Sequence, residues 1–261
     1  MPFFKHNGQR LFYRTHGNGP LLLVLPGNTA SSACHASELA EFSRAYRVAA
    51  LDPLGTGRSN RVALWPETWW EQNARAAVCL VTHLGYEHCV VMGTSGGGVM
   101  ALLLALACPW RVRAVIADSC VERLPGSVVR AAVAERRQCS PGQVAFWRQA
   151  HGDDWQTVVD ADSELLLRLA DQELNWFEGR LREIACPVLL TASLHDPALP
   201  NVAGQVCYMA EQSPDCQVFF TNAGGHPLMW SQPEAFQAIA WTFLHHVERT
   251  AGGSTAGREH S

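Results

Sequence analysis

Lysine is nearly missing from this chain: Lys5 is the only one in 261 residues, and every other basic residue is arginine. Schiff-base catalysis, which needs a lysine amine, is therefore excluded. Charge of either sign is also scarce. Only 17% of residues are charged, 20 basic against 24 acidic for a formal net of −4, below the roughly 25% of an ordinary soluble protein. Nucleic-acid binding needs concentrated basic charge, so no nucleic-acid partner is expected. Long apolar runs are missing too. The greasiest stretch, Val99 to Ala107, stops at Cys108-Pro109, short of the roughly 20 residues that span a bilayer. Met1 to Gly17 alternates polar and apolar residues without the continuous apolar core of a secretory signal. The expectation is a soluble, cytoplasmic protein with no membrane partner. The nine cysteines form no Cys-x-x-Cys pair and the histidines no His-Glu-x-x-His pattern. Neither a metal nor another cofactor is expected, and the cysteines read as reduced, mostly buried thiols.

What is present is core-forming material: 48% of residues are hydrophobic, enough for one large domain. Phe3 to Lys5 and Leu11 to Tyr13 flank Asn7-Gly8, the strongest short signal for a β-hairpin with a tight primed turn. Beyond it come short continuous apolar runs, the pattern of strands buried on both faces. They are Leu21 to Leu25, Val48 to Leu51, Cys89 to Met92, Val112 to Ile116, Pro187 to Thr191 and Gln217 to Thr221. Stretches of helical period separate them at Ala36 to Tyr46, Glu67 to Leu84, Ser95 to Cys108, Asn201 to Gln212 and Gln232 to His246. This alternation predicts an α/β fold, a doubly wound and mostly parallel sheet behind an N-terminal hairpin. Val121 to Glu183 breaks the rhythm with several helical periods and no convincing strand. It is expected to be a helical cap (121–183) inserted into a core formed by 1–120 and 184–249. The Gly/Ser/Thr-rich segment 250–261 reads as a disordered tail.

Gly93-Thr94-Ser95-Gly96-Gly97 fits Gly-x-Ser-x-Gly at a strand-to-helix junction. A serine on that sharp turn is pushed out at the carboxyl end of the sheet, and the flanking glycines permit the close backbone approach. The phosphate-cradling alternatives need Gly-x-Gly-x-x-Gly or a following Gly-Lys, and neither occurs. A serine hydroxyl needs a base to become a nucleophile and a third group to orient that base. His226, in the loop Asn222-Ala223-Gly224-Gly225-His226-Pro227, follows the last strand; Asp196, in Leu194-His195-Asp196-Pro197, follows the one before. Asp118 also follows a strand and is the rival acid. His195 shares a turn with Asp196 and is a poor base, since neighbouring side chains point apart.

The order Ser95, Asp196, His226, with Asp52-Pro53-Leu54-Gly55-Thr56-Gly57-Arg58-Ser59 after an early strand and Pro233-Glu234-Ala235-Phe236 opening the last helix, resembles the α/β-hydrolase fold family over about 245 residues. The resemblance implies an oxyanion hole made by the backbone N–H groups of Asn28 and Gly96, with Thr29 as the alternative donor. It departs from many members in having Pro26-Gly27 where they carry His-Gly. With serine at the elbow, it implies an esterase-like hydrolase working through an acyl-enzyme, while epoxide opening and dehalogenation, which use a carboxylate there, are disfavoured. Lactones, thioesters and the C–C bonds of diketones use the same machinery, and a small-molecule receptor on the same fold is the reading from another class. Trp147 and Trp155 in the cap and Trp230 after His226 are candidates to line an apolar pocket for a small-molecule substrate with an acyl or aryl group.

Overall fold

At Asn7-Gly8 both residues have left-handed φ values, 48° and 77°, as a type I′ turn requires. The turn joins β1 (Phe3–His6) to β2 (Gln9–His16) with His6 opposite Gln9. The computed structural model describes residues 2–253. Beyond the hairpin follow β3 (Leu21–Leu25), β4 (Arg47–Leu51), β5 (Cys89–Thr94) and β6 (Val112–Asp118). Two short strands, β7 (Arg123–Leu124) and β8 (Leu174–Asn175), precede β9 (Val188–Ser193) and β10 (Cys216–Thr221). The main sheet has the order β1-β2-β4-β3-β5-β6-β9-β10. It is antiparallel across β1, β2 and β4 and parallel from β4 onward.

Successive strand residues alternate faces, and here both faces are buried. Leu21, Leu23 and Leu25 enter one core cluster, while Leu22 and Val24 enter another. The first cluster is covered by α2 (Trp69–His83), α3 (Gly96–Ala107) and α7 (Val202–Gln212), the second by α1 (Ala36–Phe42) and α9 (Pro233–Gly253). Burial on both sides is why the strands read as unbroken apolar runs.

Between β6 and β9 lie α4 (Gly126–Arg136), α5 (Pro141–His151) and α6 (Trp155–Leu169). Where no strand was expected, β7 pairs antiparallel with β8; two residues are too few to write a period into the sequence. A further short helix, α8 (Leu228–Ser231), precedes α9. The expected tail begins too early, because α9 continues through Gly253, and its remainder lies outside the described residues. All nine cysteines are free thiols, but only Cys89, Cys120 and Cys186 are buried; Cys139 and Cys207 are exposed, so "mostly buried" overstated their burial. Among the described residues, no helix is long and apolar enough to cross a membrane.

Candidate active site

The parallel strands end on one edge, and the junction of β5 with α3 places Ser95 there in a left-handed conformation, φ 55° and ψ −124°. Such a backbone costs about 1 to 3 kcal/mol for a non-glycine residue and persists only where its surroundings enforce it. Three contacts enforce it here. Ser95 N–H donates to the Asp118 carbonyl at 2.8 Å, and the Gly98 and Val99 N–H groups donate to the Ser95 carbonyl at 2.9 and 3.2 Å. The glycines on either side are sterically required: a Cβ on Gly93 would strike the Gly97 carbonyl, and one on Gly97 would strike that of Leu25.

Ser95 Oγ lies 2.9 Å from His226 Nε2, and His226 Nδ1 lies 2.8 Å from Asp196 Oδ2. A carboxylate accepts, so Nδ1 carries the proton and Nε2 is free to accept from the serine hydroxyl. Asp196 is buried, and its other oxygen accepts from Ala198 N–H at 2.9 Å. The loop bearing His226 is held at two carbonyls, by Ser193 Oγ on Gly224 (2.9 Å) and Ser231 Oγ on Gly225 (3.1 Å). His195 is turned away and bonds Asn222 Oδ1 at 2.9 Å.

Asp118 is fully buried and already engaged. It accepts from Thr94, Thr191 and Ser119 hydroxyls and from Met229 N–H at 2.7 to 3.2 Å. It therefore staples the ends of β5, β6 and β9 to α8, and burial raises its carboxyl to about 6 despite those donors and the nearby His226.

The loop after β3 forms a turn in which Ala30 N–H donates to the Gly27 carbonyl at 3.1 Å. Thr29 has φ 55°, an uncommon value for a β-branched residue. The Asn28 amide sits over Gly96, where a Cβ would collide with its Oδ1. That oxygen accepts from Trp70 Nε1 at 3.1 Å, while Asn28 Nδ2 donates to Asp162 Oδ1 at 2.7 Å. The other oxygen of Asp162, a fully buried residue of α6, pairs with Arg136 of α4. Burial raises the Asp162 carboxyl, opposed by Arg136 and Asn28. Helix α5 holds the same turn, with Trp147 Nε1 donating to Thr29 Oγ1 at 3.2 Å and His151 Nε2 to the Thr29 carbonyl at 2.9 Å. His151 Nδ1 accepts from Gly57 N–H at 2.9 Å, which joins α5 to the Asp52-to-Ser59 turn. In that turn the Asp52 carboxylate accepts from the Ser32 and Arg58 N–H groups, both at 2.7 Å.

Of the aromatic candidates, Trp147 and Trp155 are stacked on each other at 5.2 Å and buried with Val159. The polar edge of Trp147 is occupied by Thr29, so this ring belongs to the scaffold of the Asn28 turn. Trp230 lies 5.3 Å from the His35 ring and 5.8 Å from that of Phe146, with a buried Nε1 that has no protein partner among the described residues. Four residues at this edge escaped the sequence reading: Trp70, Arg136, His151 and Asp162. Only Asp162 left a signal, because it occupies the apolar stripe of α6 defined by Trp155, Val158, Val159, Leu165 and Leu166, where a carboxylate requires a partner.

Comparison with known proteins agrees with this architecture. A protein of Azorhizobium caulinodans named "Putative carbamate hydrolase RutD" is 24% identical over 269 residues, spanning 95% of this chain and 100% of that protein. Among solved structures, a hydrolase from Pseudomonas aeruginosa superposes with a TM-score of 0.76 at 18% identity, over 93% of this chain and 97% of that one. The enol-lactonase from Burkholderia xenovorans LB400 does so with 0.73 at 20% identity, over 94% of this chain and 100% of that one. The model of the alpha/beta hydrolase family matches residues 22–239. With that match spanning most of its length and the fold described above, the chain belongs to the alpha/beta hydrolase family.

Proposed function

We propose that this chain is a serine hydrolase of carboxylic ester-type substrates, with Ser95 as nucleophile, His226 as base and Asp196 as its orienting acid. The observation that carries the reading is the continuous hydrogen-bonded chain from Ser95 Oγ through the imidazole to Asp196 Oδ2, with links of 2.9 and 2.8 Å. As Ser95 Oγ attacks the substrate carbonyl carbon, its proton passes to His226 Nε2, and buried Asp196 stabilises the resulting imidazolium. The carbonyl oxygen becomes an oxyanion, received by the backbone N–H groups of Asn28 and Gly96. Neither group donates to another protein atom among the described residues. A donor in that position is worth about 3 to 4 kcal/mol of transition-state stabilisation. His226 then protonates the departing alkoxide. In the second half-reaction it takes a proton from water, which attacks the acyl-enzyme and releases the acid with Ser95 restored. No resident metal or cofactor is needed for these steps.

Carbamate and enol-lactone, the linkages in the names of two relatives, both offer a carbonyl carbon with a heteroatom leaving group and fall within the same chemistry. They belong in the first substrate panel beside p-nitrophenyl esters. The substrate side is proposed to be mainly apolar, supported by the meeting of Phe146 and Trp230 between the cap and the helix after His226.

The test has two parts. A fluorophosphonate should label Ser95, as located by mass spectrometry, and Ser95→Ala should abolish both labelling and turnover while keeping the fold, since a small side chain at a turn contributes little to stability. The wild-type chain should turn over p-nitrophenyl esters many times; release of a single equivalent followed by arrest would favour a receptor. Label on a different serine would reassign the nucleophile.

A further inference from the structure

The turn that carries Asn28 is built by the cap more than by its own sequence. Asn28 and Thr29 are the central residues of the Gly27 to Ala30 turn, and the second of them has φ 55°. Glycine or asparagine relieves that position in most such turns. Threonine does not, so the conformation has to be held from outside. Every hold described above but one comes from 121–183: Asp162 on the Asn28 amide, Trp147 on the Thr29 hydroxyl and His151 on the Thr29 carbonyl. A fourth bond, from Ser31 Oγ to the Ala150 carbonyl at 2.7 Å, ties the end of the loop to α5. The exception is Trp70 of α2, which grips the opposite end of the Asn28 amide.

We propose that Asp162, seated on the cap and paired with Arg136, is a positioning residue that fixes the Asn28 amide plane and thereby aims the Asn28 backbone N–H at the oxyanion. The inference rests on the reading of Asn28 as an oxyanion donor. Its physical basis is that the amide orientation is determined twice: the Trp70 indole can only donate, so it requires Oδ1, while the Asp162 carboxylate accepts and requires Nδ2. Arg136, itself a donor only, takes the remaining carboxylate oxygen. Donation therefore runs from Trp70 through Asn28 to Asp162, where it meets donation from Arg136 on the other carboxylate oxygen.

Asp162→Asn keeps the shape and breaks that sequence. Whichever way the new amide turns, an N–H₂ group faces either Asn28 Nδ2 or the Arg136 guanidinium, and turning Asn28 over only moves the conflict to Trp70. Exchanging the two residues, Asn28→Asp with Asp162→Asn, restores complementarity at unchanged net charge. Aspartate at 28 accepts from Trp70 and from the amide at 162, whose oxygen accepts from Arg136.

The experiment measures the rate constant of fluorophosphonate labelling at Ser95, together with kcat and KM for p-nitrophenyl acetate, in wild type, Asp162→Asn, the exchanged double variant and Trp70→Phe. Asp162→Asn should slow labelling and kcat together by about 100-fold, on the scale of a lost oxyanion donor, with KM within about threefold. The exchanged variant should recover to within about tenfold of wild type. Trp70→Phe, which keeps the ring packing and frees one end of the amide, should fall about tenfold. A merely structural role for Asp162 would lower the melting temperature and the fraction of chain that labels, while leaving the rate constant of that fraction unchanged. The inference is overturned if folded Asp162→Asn labels at the wild-type rate or if the exchanged variant labels no faster than it. Should Asp162→Asn not fold, wild-type labelling by Trp70→Phe overturns it equally. A wild-type chain that labels at Ser95 without turning over esters would sink the hydrolase reading and leave this inference to the labelling rates.

Discussion

Replacing His151 should leave a signature in the pH dependence of stability, and its size follows from the position of the ring. His151 is 7% exposed, with its Nδ1 accepting from Gly57 N–H and its Nε2–H donating to the Thr29 carbonyl. A second proton would have to go onto Nδ1, against an N–H already pointing at it. Burial is the largest influence and lowers the pKa from 6.5 to about 4; Arg61 adds to the effect, while the Thr29 carbonyl and Asp154 oppose it. Between those two values the unfolded chain binds a proton that the folded chain does not. Stability contributed by the neutral ring is thus complete above about pH 6.5 and lost as pH falls toward 4, by about 1.4 kcal/mol per pH unit and roughly 3 kcal/mol in all. Asp118 works in the opposite sense, because burial raises its carboxyl to about 6 and the folded state holds the extra proton between about 4 and 6. The wild-type curve alone mixes the two. Urea unfolding of wild type and His151→Gln in parallel, from about pH 7.5 to 4.5, isolates the imidazole because Asp118 is common to both. The variant, short of one hydrogen bond, should be less stable at neutral pH, and the gap should narrow by roughly 2 to 3 kcal/mol at the acid end. A gap constant within about 0.5 kcal/mol across the range would refute a buried, neutral His151.

The two rival acids should separate by assay. Asp196→Asn should lower ester turnover by about 10⁴-fold with little change in melting temperature, because the carboxylate fixes the tautomer of His226; Asp118→Asn, which loses acceptor capacity for four donors, should cost about 2 kcal/mol or more in denaturant while turnover falls far less. If Asp118→Asn is dead and Asp196→Asn near normal, the acid has been misassigned. For the aromatics, a series of p-nitrophenyl esters should show a chain-length optimum that moves when Phe146 or Trp230 is trimmed to Ala, since one buried methylene is worth about 1 to 3 kcal/mol. Trp147→Phe should keep the optimum and lower the rate at every length, and a shifted optimum in that variant would return Trp147 to the pocket wall.

Strand positions and the geometry around Ser95 were legible because they are written locally. The turn at Asn7-Gly8 needs two left-handed residues, and the elbow needs glycines at 93 and 97 where a Cβ would meet backbone. Both requirements leave a mark within five residues. The choice of Asp196 over Asp118 was less legible, since each is an aspartate at the end of a parallel strand. What separates them in space is where their oxygens are engaged: Asp118 faces four donors of the sheet edge, whereas Asp196 has one oxygen on Ala198 and the other on His226. Trp70, Arg136 and His151 could not be read at all. Each is a single residue on a helix of ordinary pattern, and its partner lies between 26 and 122 positions away. The place of Trp147 and Trp155 within 121–183 made them pocket candidates, but nothing in the sequence says that they stack on each other or that Trp147 bonds Thr29.

With Ser95 as the proposed nucleophile, the attachment of α5 and α6 to the Asn28 loop constrains how substrate reaches it. Raising α5 and α6 as one body would break the bonds from Asp162, Trp147 and His151 to Asn28 and Thr29, that from Ser31 to Ala150, and the Gly57 bond to His151. It would also part Arg61 from Asp154, a pair linked at 2.8 Å where α6 begins. Even at about 1 kcal/mol net for each hydrogen bond, the combined cost is a large fraction of the 5 to 15 kcal/mol that holds a typical domain folded. The same motion would release Thr29 from its left-handed backbone and carry away the restraint on Asn28. On the roles proposed above for Ser95 and Asn28, substrate therefore reaches Ser95 with the Asn28 turn intact only along a side of 121–183 that does not carry these bonds. The contact of Phe146 on α5 with Trp230 is one of rings, which can slide and re-form at far lower cost than a buried polar network.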